Sequence, residues 1–243
     1  IMQSVAAMGV ISLVWLFWGY SLSFGTDING LIGGLDFLGL SGVGMEPHAT
    51  LATNLPHMVF MIFQCMFAII TPALITGAFA ERMRFGAFLL FIILWSTFVY
   101  APLCHWVWGG GWMFTMGAMD FAGGAVVHMS SAAAALACAL FLGKRKGFGK
   151  RAFIPHNLPM TITGTAILWF GWFGFNSGSA LAANGLAGNA FVTTHFAAAT
   201  AMLAWVFVEW KCHGKPTFLT IEYHRILGRS TETRRIASSV IDR

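Results

Sequence analysis

Six long runs of apolar residues divide this chain of 243 residues, over 1–24, 55–80, 85–107, 121–142, 158–183 and 188–210. Each is long enough to cross a bilayer as a helix, which takes about 20 residues. Backbone N–H and C=O groups find no water inside a bilayer, so only helices and closed barrels cross it. Continuous runs of this length mean helices, and the expected fold class is all-α, a polytopic membrane helix bundle. Composition agrees, with 57% hydrophobic and 9% charged residues, where soluble domains carry roughly 25% charged. The four cysteines are scattered without a CxxC pair and read as small buried residues rather than disulfide or metal partners. Nucleophile–base pairs, metal-ligand clusters and phosphate loops are not found in the sequence. An enzyme and a cofactor are therefore not expected. His48, His57 and His105 read as interfacial residues without ligand spacing.

The loops give an orientation. Arg82 and Arg84 follow the second run; Lys144, Arg145, Lys146, Lys150 and Arg151 follow the fourth; Lys211 and Lys215 follow the sixth. The alternate loops, 25–54, 104–120 and 184–188, hold no Lys or Arg, and the first holds Asp27, Asp36 and Glu46. The positive-inside rule then places the basic loops in the cytoplasm and the acidic loop outside, in a multi-pass protein of the cell membrane. A basic chain of this kind points to cytoplasmic loops and lipid rather than nucleic acid. The sequence opens at Ile1 inside an apolar run, without a basic leader or cleavage site, so it is expected to begin part-way through a longer protein and to have no signal peptide. Residues 1–217 form the expected membrane domain. Residues 218–243 are polar and mixed in charge, and read as a divergent cytoplasmic tail, the start of a fused domain, or a scrambled end.

A few residues interrupt the apolar pattern. Asp120 heads the fourth run. A carboxylate there caps exposed N–H groups and complements the helix dipole, or stabilises a cation at the outer mouth. His128 comes eight residues later in "DFAGGAVVHMSS". At 1.5 Å per helical residue it lies about 12 Å deeper. An ionisable group inside a membrane span is a functional candidate, and the alternative is a histidine hydrogen-bonded to a neighbouring helix. A neutral imidazole offers one donor and one acceptor, which suits water or ammonia better than a permanent cation. "CHWVWGGGW" sets Trp106, Trp108 and Trp112 around a triple glycine. That is an interfacial belt or a cation–π site. "GWFGFNSGSA" puts Phe175 and Ser179 one turn apart, and "FQCMFAII" puts Phe67 mid-run. Phenylalanine in such a run ordinarily packs or faces lipid.

Taken with "GAFAERMRF", "GKRKGFGKRAFIPHNLP" and "EWKCHGKPT", these stretches closely resemble the ammonium transporter (Amt/Mep/Rh) family, on its Amt/Mep branch, from about residue 15 to residue 217. The resemblance implies an eleven-helix inverted-repeat fold, of which the six runs here match the second to seventh helices. It implies a homotrimer with a pore in each protomer, carrying ammonium or ammonia, with methylammonium as a further substrate. By the same resemblance Trp108, Ser179 and Asp120 form the outer recruitment site, Phe67 and Phe175 the phenyl gate, and His128 the first of two pore histidines. The second pore histidine belongs to the family's later helices, and neither His195 nor His213 matches its motif. Regulation by a trimeric PII signalling protein on the cytoplasmic face is a family property. Two alternatives stand beside transport: an ammonium sensor, and a non-functional fragment of a transporter.

Overall fold

The computed structural model describes residues 1–150 and 156–214. Arg151, Lys215 and the expected tail 218–243 lie outside the described residues. The chain divides into two compact units, one of Ile1–Gly143 with Ser179–Ala182, the other of Lys144–Gly178 with the residues from Ala183 on.

The first unit holds four membrane-length helices: α1 (Met2–Phe24), α2 (His57–Phe79), α3 (85–107) and α4 (Gly124–Leu142). Helix α1 packs against α2 and α3, and α2 packs along α4. The inward faces bury Ile11, Trp15, Phe60, Ala68, Ile75 and Ile92, while Leu13, Phe17, Ile62, Leu90 and Phe98 point outward. Both faces are apolar. This is the arrangement of helices whose outward side meets lipid, where close packing rather than water exclusion holds neighbours together. Polar ties assist it: the Trp15 indole donates to the Met61 carbonyl at 3.2 Å, and the Trp18 indole to Thr97 Oγ1 at 3.0 Å.

The helices are not uniform. A π turn interrupts α1 at Trp15–Gly19 and α3 at Ser96–Tyr100, and another opens α4 at Gly124–Met129. Each such turn takes in an extra residue and re-aims the side chains around it. The first two turns meet, with the Trp15 and Tyr100 rings 6.3 Å apart, edge to face. Pro72 lies inside α2. Beside it, the Thr71 hydroxyl donates to the Phe67 carbonyl at 2.6 Å.

The segment between α1 and α2 folds into two short antiparallel hairpins, β1 (Asp27–Ile28) with β2 (Ile32–Gly33) and β3 (Pro47–His48) with β4 (Ala52–Pro56). Ser21 pins it by donating to the Gly34 carbonyl at 2.8 Å and accepting from the Phe37 N–H at 3.0 Å. At the opposite end of the helices, the Arg82 guanidinium donates to the carbonyls of Ala78 and Gly143, joining the ends of α2 and α4.

In the second unit α5 (Leu158–Gly178) and α6 (Gly185–His213) run side by side in opposite directions. Phe173 stacks on Phe191 at 4.2 Å, Asn176 donates to Thr194 at 2.9 Å, and Ser177 donates to the Ala187 carbonyl at 2.7 Å.

The spans agree with the sequence expectation apart from their ends. Helix α4 begins at Gly124 rather than 121, because Gly123 takes a left-handed conformation (φ 96°) that ends the preceding turn. Helix α5 stops at Gly178 and α6 starts at Gly185. Between them Leu181 is left-handed (φ 51°) and Asn184 caps α6 by accepting from the Ala187 N–H at 3.1 Å. Two of the three interfacial histidines are in fact buried: His57 is bonded to the Tyr20 hydroxyl at 2.5 Å, and His105 is fully enclosed.

Candidate functional site

At the hairpin end of the first unit a cavity of about 380 Å³ opens between α1, α2 and the segment after α3. Its walls are mainly aromatic, with Phe24, Phe60, Phe63 and Phe67 from α1 and α2 and Trp108 and Phe114 from the other side. Gln64, Asp120, Thr50 and Ser179 supply polar atoms. Four residues singled out in the sequence, Phe67, Trp108, Asp120 and Ser179, therefore line one cavity although 112 positions separate the first from the last.

Local sequence dictates each position. Trp108 follows the last turn of α3, its N–H bonded to the Cys104 carbonyl at 2.8 Å. Its indole N–H donates to the backbone carbonyl of Asp120 at 2.7 Å, which leaves the ring face, not the nitrogen, for the cavity. Phe67 is 1% exposed and meets Trp108 edge to face at 5.6 Å, with Phe63 packed on it at 4.9 Å. The Phe63, Phe67 and Trp108 rings line the cavity, and the face of such a ring attracts a small cation.

The Asp120 carboxylate makes four backbone bonds. One oxygen accepts from Gly123 and Gly124, both at 2.7 Å; the other accepts from Ala125 at 2.8 Å and Val126 at 3.0 Å. These are the N–H groups that the start of α4 leaves without helical partners. Capping, one of the two readings of the sequence, is what the geometry displays. Gly123 is required here: a Cβ at its left-handed position would fall 2.7 Å from Val127 Cγ2.

His128 lies on the first turns of α4 rather than deep within it. It comes four residues after the helix start at Gly124, a rise of about 6 Å. It is also exposed, whereas Val126, Val127, Ser130 and Ser131 are buried on the side of α4 that meets α2. Phe175 lies on α5 in the second unit, its ring stacked on Trp172 at 4.6 Å.

Sequence reasoning missed Gln64. Its side chain is 8% exposed, lines the cavity, and its Oε1 has no hydrogen-bond partner. The available signal was an amide one turn before Phe67 in an otherwise apolar span. Among the described residues no group of three or more His, Cys, Asp or Glu could hold a metal ion.

A bundle of membrane-length helices with an aromatic, sparsely polar cavity at one end defines the class: a multi-pass membrane protein. The model of the Ammonium Transporter Family matches residues 1–222, and the chain belongs to that family. The match begins at residue 1 and runs five residues past 217, further at both ends than the resemblance seen in the sequence. The chain is 53% identical over 218 residues to an ammonium transporter of Bacillus subtilis, covering 90% of this chain and 53% of that one. With ammonium transporter Amt1 of Archaeoglobus fulgidus it shares 50% over 230 residues, covering 95% and 56%. Among solved structures it is similar to Mep2 of Candida albicans, at a TM-score of 0.79 and 39% identity, covering 87% of this chain and 47% of that one. A structure described as a Sensor Amt Protein matches at a TM-score of 0.79 and 31% identity, covering 89% and 55%. The chain thus spans about half the length of the curated relatives it matches.

Proposed function

We propose that the protein carries ammonium or ammonia across the membrane, and that the aromatic cavity is its recruitment site. The supporting observation is the convergence of Trp108, Ser179, Asp120 and Phe67 on one space of about 380 Å³. A cation held against the Trp108 face gains on the order of 0.5–2 kcal/mol. The Gln64 carbonyl oxygen and the Ser179 hydroxyl can accept its N–H groups. Moving an intact cation through an apolar constriction is costly. Ammonium therefore gives up a proton above Phe67, to external water or along a relay, and neutral ammonia passes the Phe67 phenyl ring. His128 lines the path beyond, hydrogen-bonding the solute or relaying the proton. Methylammonium fits the same chemistry. In this reading the 25–56 hairpins lie outside the cell and the basic loops inside, three chains form the working trimer, and a PII signalling protein docks on the cytoplasmic face.

The test is flux through the intact protein in liposomes. Trp108→Ala is expected to raise the KM for ammonium about three- to tenfold, the loss of one cation–π contact. An unchanged KM returns Trp108 to a purely interfacial role.

A second reading is an ammonium sensor, favoured by the structural likeness to the Sensor Amt Protein. Binding without flux in the liposome assay decides for it.

A further inference from the structure

We propose that Asp27 and His105 act as a positioning pair for the Trp108 wall of the cavity, holding it through the two ring-nitrogen contacts of His105. The proposal rests on the reading of that cavity as the ammonium site. His105 lies in the last turn of α3 and is fully buried. Its Nδ1 lies 3.1 Å from the Ser23 carbonyl oxygen and its Nε2 lies 2.8 Å from Asp27 Oδ1. Both neighbours are acceptors. A carbonyl cannot donate, and neither can an ionised carboxylate. The ring thus bridges the end of α1 and the first hairpin. The bond to His105 is the main cause holding the Asp27 carboxyl below the usual range, and the Gly30 N–H, at 2.9 and 3.0 Å from its two oxygens, adds to it.

The pair is joined to the cavity through backbone. The His105 carbonyl accepts from the Gly109 and Gly111 N–H groups, both at 3.0 Å. Gly109 rests directly on the Ser23–His105 bond: a Cβ there would fall 2.0 Å from the Ser23 oxygen and 2.6 Å from His105 Nδ1. Gly109 and Gly110 line the cavity beside Trp108. Asp27 also borders a smaller cavity of about 230 Å³ that shares Phe24, Thr50, Leu51 and Gly109 with the larger one. The hairpin carrying Asp27 is therefore tied, through the His105 ring, to the segment that carries Trp108.

Two measurements on the intact protein test this. The first is ¹⁵N NMR of histidine-labelled protein, with the His105 signal assigned by its loss in His105→Gln. A His105 ring-nitrogen signal that shifts in Asp27→Asn supports the pair; a signal unchanged in Asp27→Asn overturns it. The second is ammonium flux in liposomes. Asp27→Ala is expected to raise KM about three- to tenfold with maximal flux little changed, and Asp27→Glu to restore it. An unchanged KM in Asp27→Ala, with Trp108→Ala impaired, overturns the positioning role. If Trp108→Ala is itself silent, the recruitment reading fails, and the NMR measurement alone decides the pair.

Discussion

Asp120 uses both carboxylate oxygens, each on two backbone N–H groups at the head of α4. This geometry separates the aspartate from its amide analogue. Asparagine keeps one oxygen for Gly123 and Gly124 but turns an NH₂ donor toward the N–H groups of Ala125 and Val126. Asp120→Asn is therefore expected to cost nearly as much as Asp120→Ala, roughly 2–4 kcal/mol from lost charge-assisted bonds. Thermal unfolding of the reconstituted protein measures it. Asn within about 0.5 kcal/mol of wild type, the range of ordinary surface substitutions, contradicts it. Trp108 depends on the same residue, because its indole N–H is held by the Asp120 carbonyl. Loss of the cap is thus expected to raise the ammonium KM as well. The sequence showed the carboxylate and offered capping as one of two readings. It could not show that the indole beside it was bound to the same residue.

Among the elements, the hairpins between α1 and α2 carry the clearest dependence on acidity. Asp36 is held below the usual carboxylate range first by the Thr26 N–H at 2.7 Å, and Asp27 first by its bond to His105. A depressed folded value means stabilisation that is complete above the ordinary carboxylate pKa of about 4 and lost as pH falls through the depressed values. Amide exchange in 25–36 is expected to show no loss of protection between pH 7 and about pH 5, and a loss below about pH 4. Protection that declines steadily from pH 7 contradicts it. The helices themselves were legible because a bilayer demands length, and length is visible in a string of apolar residues. The three π turns were not. An extra residue in a turn changes neither composition nor apolarity. The start of α4 was placed three residues early for a similar reason: Phe121, Ala122 and Gly123 are apolar, and only the left-handed φ of Gly123 excludes them from the helix.

At the scale of the molecule, the candidate site is assembled from positions 64, 67, 108, 120 and 179. No periodicity links them. The sequence found most of them only through resemblance to a family, and missed Gln64 because one amide in an apolar helix has no partner in the string. His128 needs the same breadth of view. It sits on the exposed side of α4, away from the α2 contact. In the proposed transport reading, His128→Ala is expected to alter or abolish ammonium-dependent current in liposomes, with the fold kept, because the buried side of α4 is untouched. Unchanged current and selectivity contradict its place on the path.

One consequence follows from the way the acids at the hairpin end are held. Asp120 sits on a helix terminus worth about half a positive charge, and Asp27 faces His105 at 2.8 Å. These two carboxylates are each partly answered within a few ångströms, which reduces the field they add beyond a screening length of about 8–10 Å. Attraction to the mouth then acts at contact, through ring faces and the Gln64 and Ser179 oxygens, rather than by long-range steering. In the proposed transport reading, the contribution of Asp27 and Asp120 to ammonium uptake is therefore expected to change little with ionic strength.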